Sequence, residues 1–434
     1  MGSIHGRVVL NDPDLGRILQ SLADRQGGHA VVSGWYGHGN SGDEAILMVM
    51  LEELQRLGFA RVYVLTSKPD EVTRLHGAMG AVGLRHLEMV GLAGIQNLLR
   101  GRLGENLRVL RGARVFILGG GGLLRDNTNW RNLLRLVDDV VLARLFGVPV
   151  FFYALGVGPF RSWLGKRVIA LAARCANEIT VRDEASAQLL RGLGVPAERT
   201  TVVTDPAFLL ADTAPEIAGR LAGVTAFCAQ HPRVLFVYPA VAITHPPLAP
   251  NDDRHVDAFA AALERLCRED GWAVVLVPLW VNGGEDDVAT NRRIRARMDQ
   301  GCAVHLVEQA LPPPTMRALT VLATLNVTIR LHALIYAASH GVPSVALDYE
   351  PKVAANAARF GLSDYVVTFD PGWVDRLVAA VRRLEGRLPA ERARLRADMP
   401  RLRSGAAETF RRLDGLLGVE YPERLTRNGS ATTN

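Results

Sequence analysis

The sequence predicts an α/β protein with two doubly wound, Rossmann-like domains that face each other across a cleft. Short β-branched or apolar runs alternate with helix-length segments along most of the chain, a pattern typical of parallel sheets covered by helices on both faces. With 434 residues the chain is long for one hydrophobic core, which favours two domains. The polar and glycine-rich motifs follow predicted strands, and ligands bind at the carboxyl ends of strands in such sheets.

The first domain is predicted to cover residues 1–212. Residues 70–111 are predicted to be mostly helical, and the glycines at 119–122 are predicted to form a loop after their strand. Further helices are predicted at 43–57, 130–146, about 160–176 and from 182 onward. The strands of this domain are predicted at 30–33, 61–66, 114–118, 150–154, 178–181 and 201–203.

The second domain is predicted to cover residues 213–375 and to begin with a helix near residue 215. Helices in residues 376–420 are predicted to pack back on the first domain, and the polar tail, 421–434, is predicted to be loose. The strands of the second domain are predicted at 234–238, 272–277, 303–307, 326–329 and 344–347, with a buried helix at 333–338.

Composition predicts a cytoplasmic protein without a metal or a cofactor. The chain has 48% hydrophobic residues and no run near the ~18 apolar residues that a spanning helix needs, and the start of the chain does not resemble a signal sequence. Its four cysteines are scattered without CxxC spacing, and HExxH and calcium-loop motifs are absent from the sequence. We therefore expect neither a disulfide framework nor a metal site.

The net charge of +6 is modest for this length, and arginine is dense in residues 376–427. A nucleic-acid partner is not expected, because no basic stripe with aromatic residues is present. An anionic substrate or the anionic inner face of a membrane would use this charge. Ordinary solvated helix surfaces would explain it equally well, so all three interpretations stay open.

The most informative stretch of the sequence is a predicted strand–helix–strand unit at 326–347. Arg330, Leu331 and His332 lie where its first strand ends and its helix begins. A helix N-terminus attracts anions, so a fixed cation and an imidazole at this position predict a site that binds an anion and transfers a proton. The alternative is structural: Arg330 caps a carbonyl and His332 is an interior histidine.

A second arginine has the same relation to a strand. The triplets at 180–182 and 328–330 each place an arginine, Arg182 or Arg330, at a strand's carboxyl end. Two guanidinium groups suit a compact anion with phosphate and carboxylate groups, and Lys352 would add a third cation.

The glycine-rich loop at 37–44 lacks the GK[ST] ending of a nucleotide P-loop. Because carboxylates there would compete with an anion, we expect Asn40, Asp43 and Glu44 to accept hydrogen bonds from sugar hydroxyls, unless Asp43 is only a helix cap. Gly120 and Gly121 would let the backbone approach the same acceptor closely, or would serve only helix packing.

Five segments of the chain form a recognisable set when taken together. They are GWYGHGNSGDEAIL (34–47), ILGGGGLLRD (117–126), VRDEAS (181–186), TDPAF (204–208) and IRLHALIYAASHGVPSVALDYEPKV (329–353). This set resembles the polysaccharide pyruvyl transferase family, and the segments occur in the family's order across residues 30–365. The resemblance implies a fold similar to the GT-B glycosyltransferase architecture. It also implies that Arg182, Arg330, Leu331 and His332 hold phosphoenolpyruvate, with His332 as general acid.

The function expected from this resemblance is transfer of the pyruvyl group of phosphoenolpyruvate to a sugar of a cell-surface glycan or its precursor, giving a pyruvate ketal and phosphate. One alternative is a glycosyltransferase that uses a nucleotide sugar and holds its ribose through Glu350. Another is a non-catalytic binding protein of the same fold. The sequence leaves open whether the acceptor is free, nucleotide-linked or lipid-linked, and which oligomer forms.

Overall fold

The computed structural model describes residues 28–86, 103–126, 130–212, 219, 221–240, 253–281, 286–348 and 351–419. In these ranges the first domain consists of a parallel sheet with helices on both faces. Its strands are β1 (His29–Ser33), β2 (Val62–Thr66), β3 (Ala81–Arg85), β4 (Ala113–Leu124), β5 (Val150–Val157), β6 (Glu178–Val181) and β7 (Thr200–Val202). Its helices are α1 (Ser41–Arg56), α2 (Pro69–His76), α3 (Leu103–Arg111), α4 (Trp130–Leu145), α5 (Trp163–Cys175) and α6 (Glu184–Gly192).

The second domain repeats this arrangement with a second parallel sheet. Its strands are β8 (Val234–Tyr238), β9 (Ala273–Leu276), β10 (Val304–Leu306), β11 (Leu325–Thr328), β12 (Ser344–Asp348) and β13 (Val366–Thr368). The helices of this half are α7 (Ala222–Ala229), α8 (Arg254–Asp270), α9 (Asp287–Arg297), α10 (Pro313–Leu319), α11 (Leu331–Ser339), α12 (Pro351–Arg359), α13 (Trp373–Glu385) and α14 (Leu388–Leu417).

The strand order confirms the predicted fold class. The first sheet has the strand order β3-β2-β1-β4-β5-β6-β7 and the second β10-β9-β8-β11-β12-β13. The order in which strands are added therefore reverses between β1 and β4 in the first sheet and between β8 and β11 in the second. In doubly wound sheets a crevice opens at this point, beyond the carboxyl ends of the strands. Central strands such as β5 and β8 are buried along their whole length, which explains their continuous apolar sequences.

Two predicted segments of the first domain have a different structure. The segment Ala81–Arg85, predicted as helical, is strand β3 at the edge of the first sheet, because pairing with β2 overrides weak local preference. The glycines predicted as a loop lie inside β4, where the register with β5 shifts between Gly121 and Leu124. Gly120 and Gly121 have φ of 60° and 83°, values that favour glycine and form a bulge.

Helix α14 crosses from the second domain and packs on the first. The Oγ1 atoms of Thr409 and Thr180 lie 2.8 Å apart, and the amide of Thr204 donates to the carbonyl of Gly405. Arg56 of α1 pairs with Asp414 of α14 at 2.7 Å. The last long helix therefore covers the face of the first sheet that includes β6.

Many of the C-terminal arginines have partners within the protein. Some ion pairs join α13 or α14 to other elements, among them Arg382–Asp270 and Arg412–Glu178. Others lie within α14: Arg394–Glu391, Arg401–Asp398 and Arg411–Glu408. These arginines therefore bind acidic side chains of the protein itself. Among the described residues, no helix combines the length and the apolar character needed to cross a membrane.

Candidate functional site

Both domains contribute residues to one cavity of about 100 Å³. Seven of the residues predicted for the site line it: Asn40, Asp43, Gly121, Arg182, Arg330, Leu331 and His332. Gly122, Arg125 and Leu279 complete the lining. The structure therefore brings the two predicted arginines and the first glycine-rich loop together at one place between the sheets.

Arg182 follows β6 directly and is buried, with 3% of its surface exposed. Its Nη1 lies 3.2 Å from Oδ2 of Asp205, and its guanidinium lies over the backbone of Gly156 and Gly122. Its Nε has no hydrogen-bond partner among the described residues. A buried guanidinium with an unused N–H group retains the ability to bind an anion.

Arg330 occupies the equivalent position after β11 and is 7% exposed. Its Nη2 donates to Oδ1 of Asp287 at 2.8 Å, while Oδ2 of Asp287 accepts from the amides of Leu279 and Trp280 at 2.9 and 2.8 Å. The guanidinium carbon also lies 5.5 Å from the centre of the Trp280 ring. The carboxylate is fixed by the backbone, so it fixes the direction of Arg330 in turn.

His332 lies in the first turn of α11, and Leu331 beside it also lines the cavity. The first-turn N–H groups of α11 therefore begin at the cavity wall, where the positive end of the helix dipole favours negative charge. His332 is 8% exposed, and its Nε2 lies 3.8 Å from Oδ2 of Asp205. This distance exceeds that of a hydrogen bond, so Asp205 acts on the ring through its charge.

Asn40 and Asp43 lie at the start of α1 in the first domain, as its N-cap and in its first turn. The side chain of Asn40 caps α1 by accepting from the amide of Gly42 at 3.0 Å. Oδ1 of Asp43 lies close to Gly121, where a Cβ atom would come within 2.8 Å of it. Gly121 therefore keeps space for the carboxylate beside the cavity.

Glu44 and Gly120 are absent from the cavity lining. Glu44 is 4% exposed, and its two oxygens lie 2.7 Å from the amide of Gly37 and from Nε2 of His76. A Cβ atom on Gly120 would lie 2.4 Å from Cγ2 of Ile46, so this glycine permits close packing of α1. Both residues support the loop geometry and do not face the cavity. Glu350 and the side chain of Lys352 lie outside the described residues.

The aspartates that position the arginines had no predicted role. Asp287 lies 43 residues before Arg330 in the sequence, and Asp205 lies 23 residues after Arg182. Asp205 belongs to the TDPAF segment, which was a usable signal, whereas nothing in the sequence near Asp287 indicates its function. Arg125, a third cavity arginine, lies in another segment used for the resemblance.

Contacts between the domains hold the cavity walls in place. The amide of Ser41 donates to the carbonyl of Leu279 at 3.0 Å, and Nε1 of Trp280 donates to the carbonyl of His38 at 2.8 Å. On the other side, Nη1 of Arg359 donates to the carbonyl of Arg182 at 3.0 Å. Burial lowers the pKa of Arg359. Two sets of hydrogen bonds thus span the cleft beside the site.

Titratable groups in the first loop and next to it are shifted toward their neutral forms. The pKa of His38 is lowered to about 4 by burial and by the charge of Lys68. Burial raises the pKa of Tyr36, and the charges of Asp43 and Glu44 add to this effect. Tyr36 and His38 are therefore neutral at neutral pH, and Asp43 is the carboxylate of this region that lines the cavity.

Comparison with known proteins gives one family and one architecture. The model of the family described as polysaccharide pyruvyl transferase matches residues 40–351. The UDP-GlcNAc 2-epimerase of Neisseria meningitidis, solved with UDP-GlcNAc, is similar in structure with a TM-score of 0.61 at 13% identity, over 89% of this chain and 99% of that chain. Anabaena HepE, solved with UDP and glucose, gives 0.59 at 15% identity over 90% and 99%. These structures confirm the two-domain, GT-B-like architecture.

Proposed function

Because this chain belongs to the polysaccharide pyruvyl transferase family, we propose that it transfers the pyruvyl group of phosphoenolpyruvate to two hydroxyls of a sugar, forming a ketal. The observation that carries this proposal is the convergence of Arg182 and Arg330, one from each domain, on a single cavity. Both are nearly buried, and each is oriented by an aspartate.

Phosphoenolpyruvate carries its carboxylate and its phosphate ester on the same carbon, C2, so it needs two anion-binding positions close together. In this proposal the two guanidinium groups take one group each, and the first-turn amides of α11 add further donors. Charged hydrogen bonds of this kind contribute about 1.5–3 kcal/mol each. Arg125 supplies additional positive charge at the same wall.

His332 is the proposed general acid. It protonates the methylene carbon of phosphoenolpyruvate, and an oxocarbenium-like centre forms at C2. One sugar hydroxyl attacks C2 and loses its proton, the C2–O bond to phosphate breaks, and a second hydroxyl attacks to close the ketal. The two attacking hydroxyls lose one proton each. One of these protons restores the proton that His332 gave to the methylene carbon, and the other leaves with inorganic phosphate. A positioned acid contributes typically about 10²–10⁴-fold.

The acceptor is proposed to bind on the side of the first domain. Asp43 is the carboxylate in the cavity lining, and it suits hydrogen bonding to a sugar hydroxyl. Asn40 retains its amide N–H groups for the same sugar, because its oxygen is used to cap α1.

A nucleotide-sugar transferase is the contrasting hypothesis, since structurally similar proteins have been solved with UDP or UDP sugars. The decisive experiment incubates the protein with candidate acceptor sugars and either phosphoenolpyruvate or a panel of UDP sugars. We expect phosphate release and a pyruvyl mass gain on the acceptor with phosphoenolpyruvate alone. Turnover of a UDP sugar without pyruvyl transfer would refute the proposal, and binding of phosphoenolpyruvate without any product would indicate a non-catalytic protein.

A further inference from the structure

Helix α5 exposes an unusual set of apolar side chains. Trp163 is 71% exposed, and Leu164 and Leu171 are each 48% exposed. Residues 163, 167, 171 and 174 follow helical spacing, so they lie along one face. A large exposed tryptophan with neighbouring leucines indicates a surface that contacts something apolar.

The segment that contains α5 carries only positive charge among its ionisable acidic and basic side chains. Residues 159–177 contain four cations, Arg161, Lys166, Arg167 and Arg174, and no aspartate or glutamate. All four are exposed, and none forms an ion pair with an acidic side chain in the described ranges. The guanidinium carbon of Arg167 lies 5.4 Å from the centre of the Trp163 ring. This arrangement contrasts with the C-terminal arginines, many of which have acidic partners.

The start of α5 is held firmly at the cleft end of the first sheet. The oxygens of Asp126 accept from the amides of Arg161 and Ser162 at 2.6 and 2.7 Å. A Cβ atom on Gly165 would lie 2.2 Å from Asp126, so the helix packs closely there. Asp126 directly follows Arg125, which lines the cavity. The exposed face of α5 therefore begins beside the candidate site.

We propose that the exposed face of α5 binds the surface of a bilayer that contains anionic phospholipids. Tryptophan and leucine side chains enter the interfacial layer, while lysine and arginine extend toward the headgroups. A protein partner or a second copy of this chain would need acidic groups opposite the four cations, whereas an anionic lipid surface supplies them everywhere. This places membrane contact on the first domain and not on the arginine-rich C-terminus.

The inference is independent of the reaction. If the proposed function is also correct, the surface brings the acceptor side of the cavity close to a sugar carried on a lipid. Vesicle binding does not require pyruvyl transfer, and pyruvyl transfer to a water-soluble acceptor does not require vesicle binding. The two proposals can therefore be tested separately.

The test is sedimentation of the full chain with vesicles of phosphatidylcholine alone or mixed with phosphatidylglycerol. We expect binding to the anionic vesicles only, and weaker binding as salt increases. The double variant Lys166→Ala/Arg167→Ala should bind about 25-fold more weakly, from about fivefold for each cation near the surface. Trp163→Ala should weaken binding at both low and high salt, because it removes an apolar contact.

The matched control is Arg411→Ala/Arg412→Ala, which removes two arginines of α14 that form ion pairs. It should bind vesicles nearly as well as the unchanged chain. Equal loss in this control, or no sedimentation of the unchanged chain with anionic vesicles, would overturn the proposal. So would a dimer in light scattering that Trp163→Ala converts to a monomer. Thermal melting of each variant shows whether the fold is retained.

Discussion

The imidazole of His332 in the second domain lies directly against Gly42 in the first. A Cβ atom on Gly42 would come within 1.9 Å of Nδ1 of His332, so only glycine leaves room for the ring in this position. The first domain's loop thus determines where the proposed acid can lie, although the histidine belongs to the other half of the chain.

Substitution Gly42→Ala should therefore displace the imidazole and lower kcat at least tenfold, because a displaced acid loses part of the about 10²–10⁴-fold that a positioned acid contributes. The Kd for phosphoenolpyruvate should change little, since the arginines are untouched. Gly192→Ala is the matched control, because a Cβ atom there meets nothing within 4 Å. Steady-state kinetics with both variants measures this effect, and an unchanged kcat in a folded Gly42→Ala protein would contradict it.

Removal of the imidazole itself gives a more direct test. His332→Ala should retain phosphoenolpyruvate binding and lose about 10²-fold or more in kcat, the contribution expected of a positioned general acid. If the histidine were only a packing residue, the variant would instead melt at a lower temperature and turn over normally in its folded fraction. Single-turnover rates beside melting temperatures distinguish these results.

Arg182→Ala should weaken binding of phosphoenolpyruvate about 10- to 150-fold, the range that follows from losing one charged hydrogen bond of about 1.5–3 kcal/mol. Titration calorimetry should also show that binding by the unchanged chain weakens with salt. Arg191→Ala is a suitable control, since Arg191 is exposed and pairs with Glu184 on the helix surface. Similar loss in both variants would mean that general charge, not the site, binds the anion.

Asp43 and Glu44 are adjacent in sequence but should respond differently to neutralisation. Asp43→Asn should raise the acceptor KM or lower turnover and leave donor affinity nearly intact. Glu44→Gln should lower the free energy of unfolding by about 1–3 kcal/mol, because it weakens the buried hydrogen bonds between Glu44 and the Gly37 amide and between Glu44 and His76. Acceptor kinetics and urea denaturation measure the two effects. If Glu44→Gln changed the acceptor kinetics and left the free energy of unfolding unchanged, Glu44 would instead have the acceptor-binding role predicted from the sequence.

Protonation of His38 should make the free energy of unfolding depend on pH. Its pKa is about 4 in the folded protein and about 6.5 in an unfolded chain, so the unfolded state binds more protons between these values. The free energy of unfolding should fall as pH decreases from about 6.5 to 4, and His38→Gln should reduce this slope. NMR titration of His38 provides the check; a midpoint near its ordinary value would exclude the effect.

Local sequence predicted the parts of the site that depend on a single strand–helix connection. Arg330 and His332 follow a buried strand and begin a buried helix, and both patterns are legible from apolar residues alone. Strand β8 was predicted with its observed bounds, because its five apolar residues have the length of a strand and are mostly β-branched or aromatic.

Contacts between distant elements were not predictable in this way. Asp287 meets Arg330 only because β11 and the segment after β9 lie at the same edge of the second sheet. Strand β3 was predicted as helix, since its five residues are stabilised by an edge position that the sequence does not encode locally. The role of Glu44 also depends on His76, which lies 32 residues away.

The position of helix α14 also has a consequence for synthesis of the chain. The face of the first sheet at Thr180 is covered by Thr409, and the residues that provide this cover are translated only after the strands of both sheets. A ribosome releases β1 to β7 long before α14 exists, so the first domain must wait, with an apolar face open to water, until α14 has been synthesised. Truncation before residue 388 should therefore leave an aggregation-prone first domain, even though β1 to β7 are present.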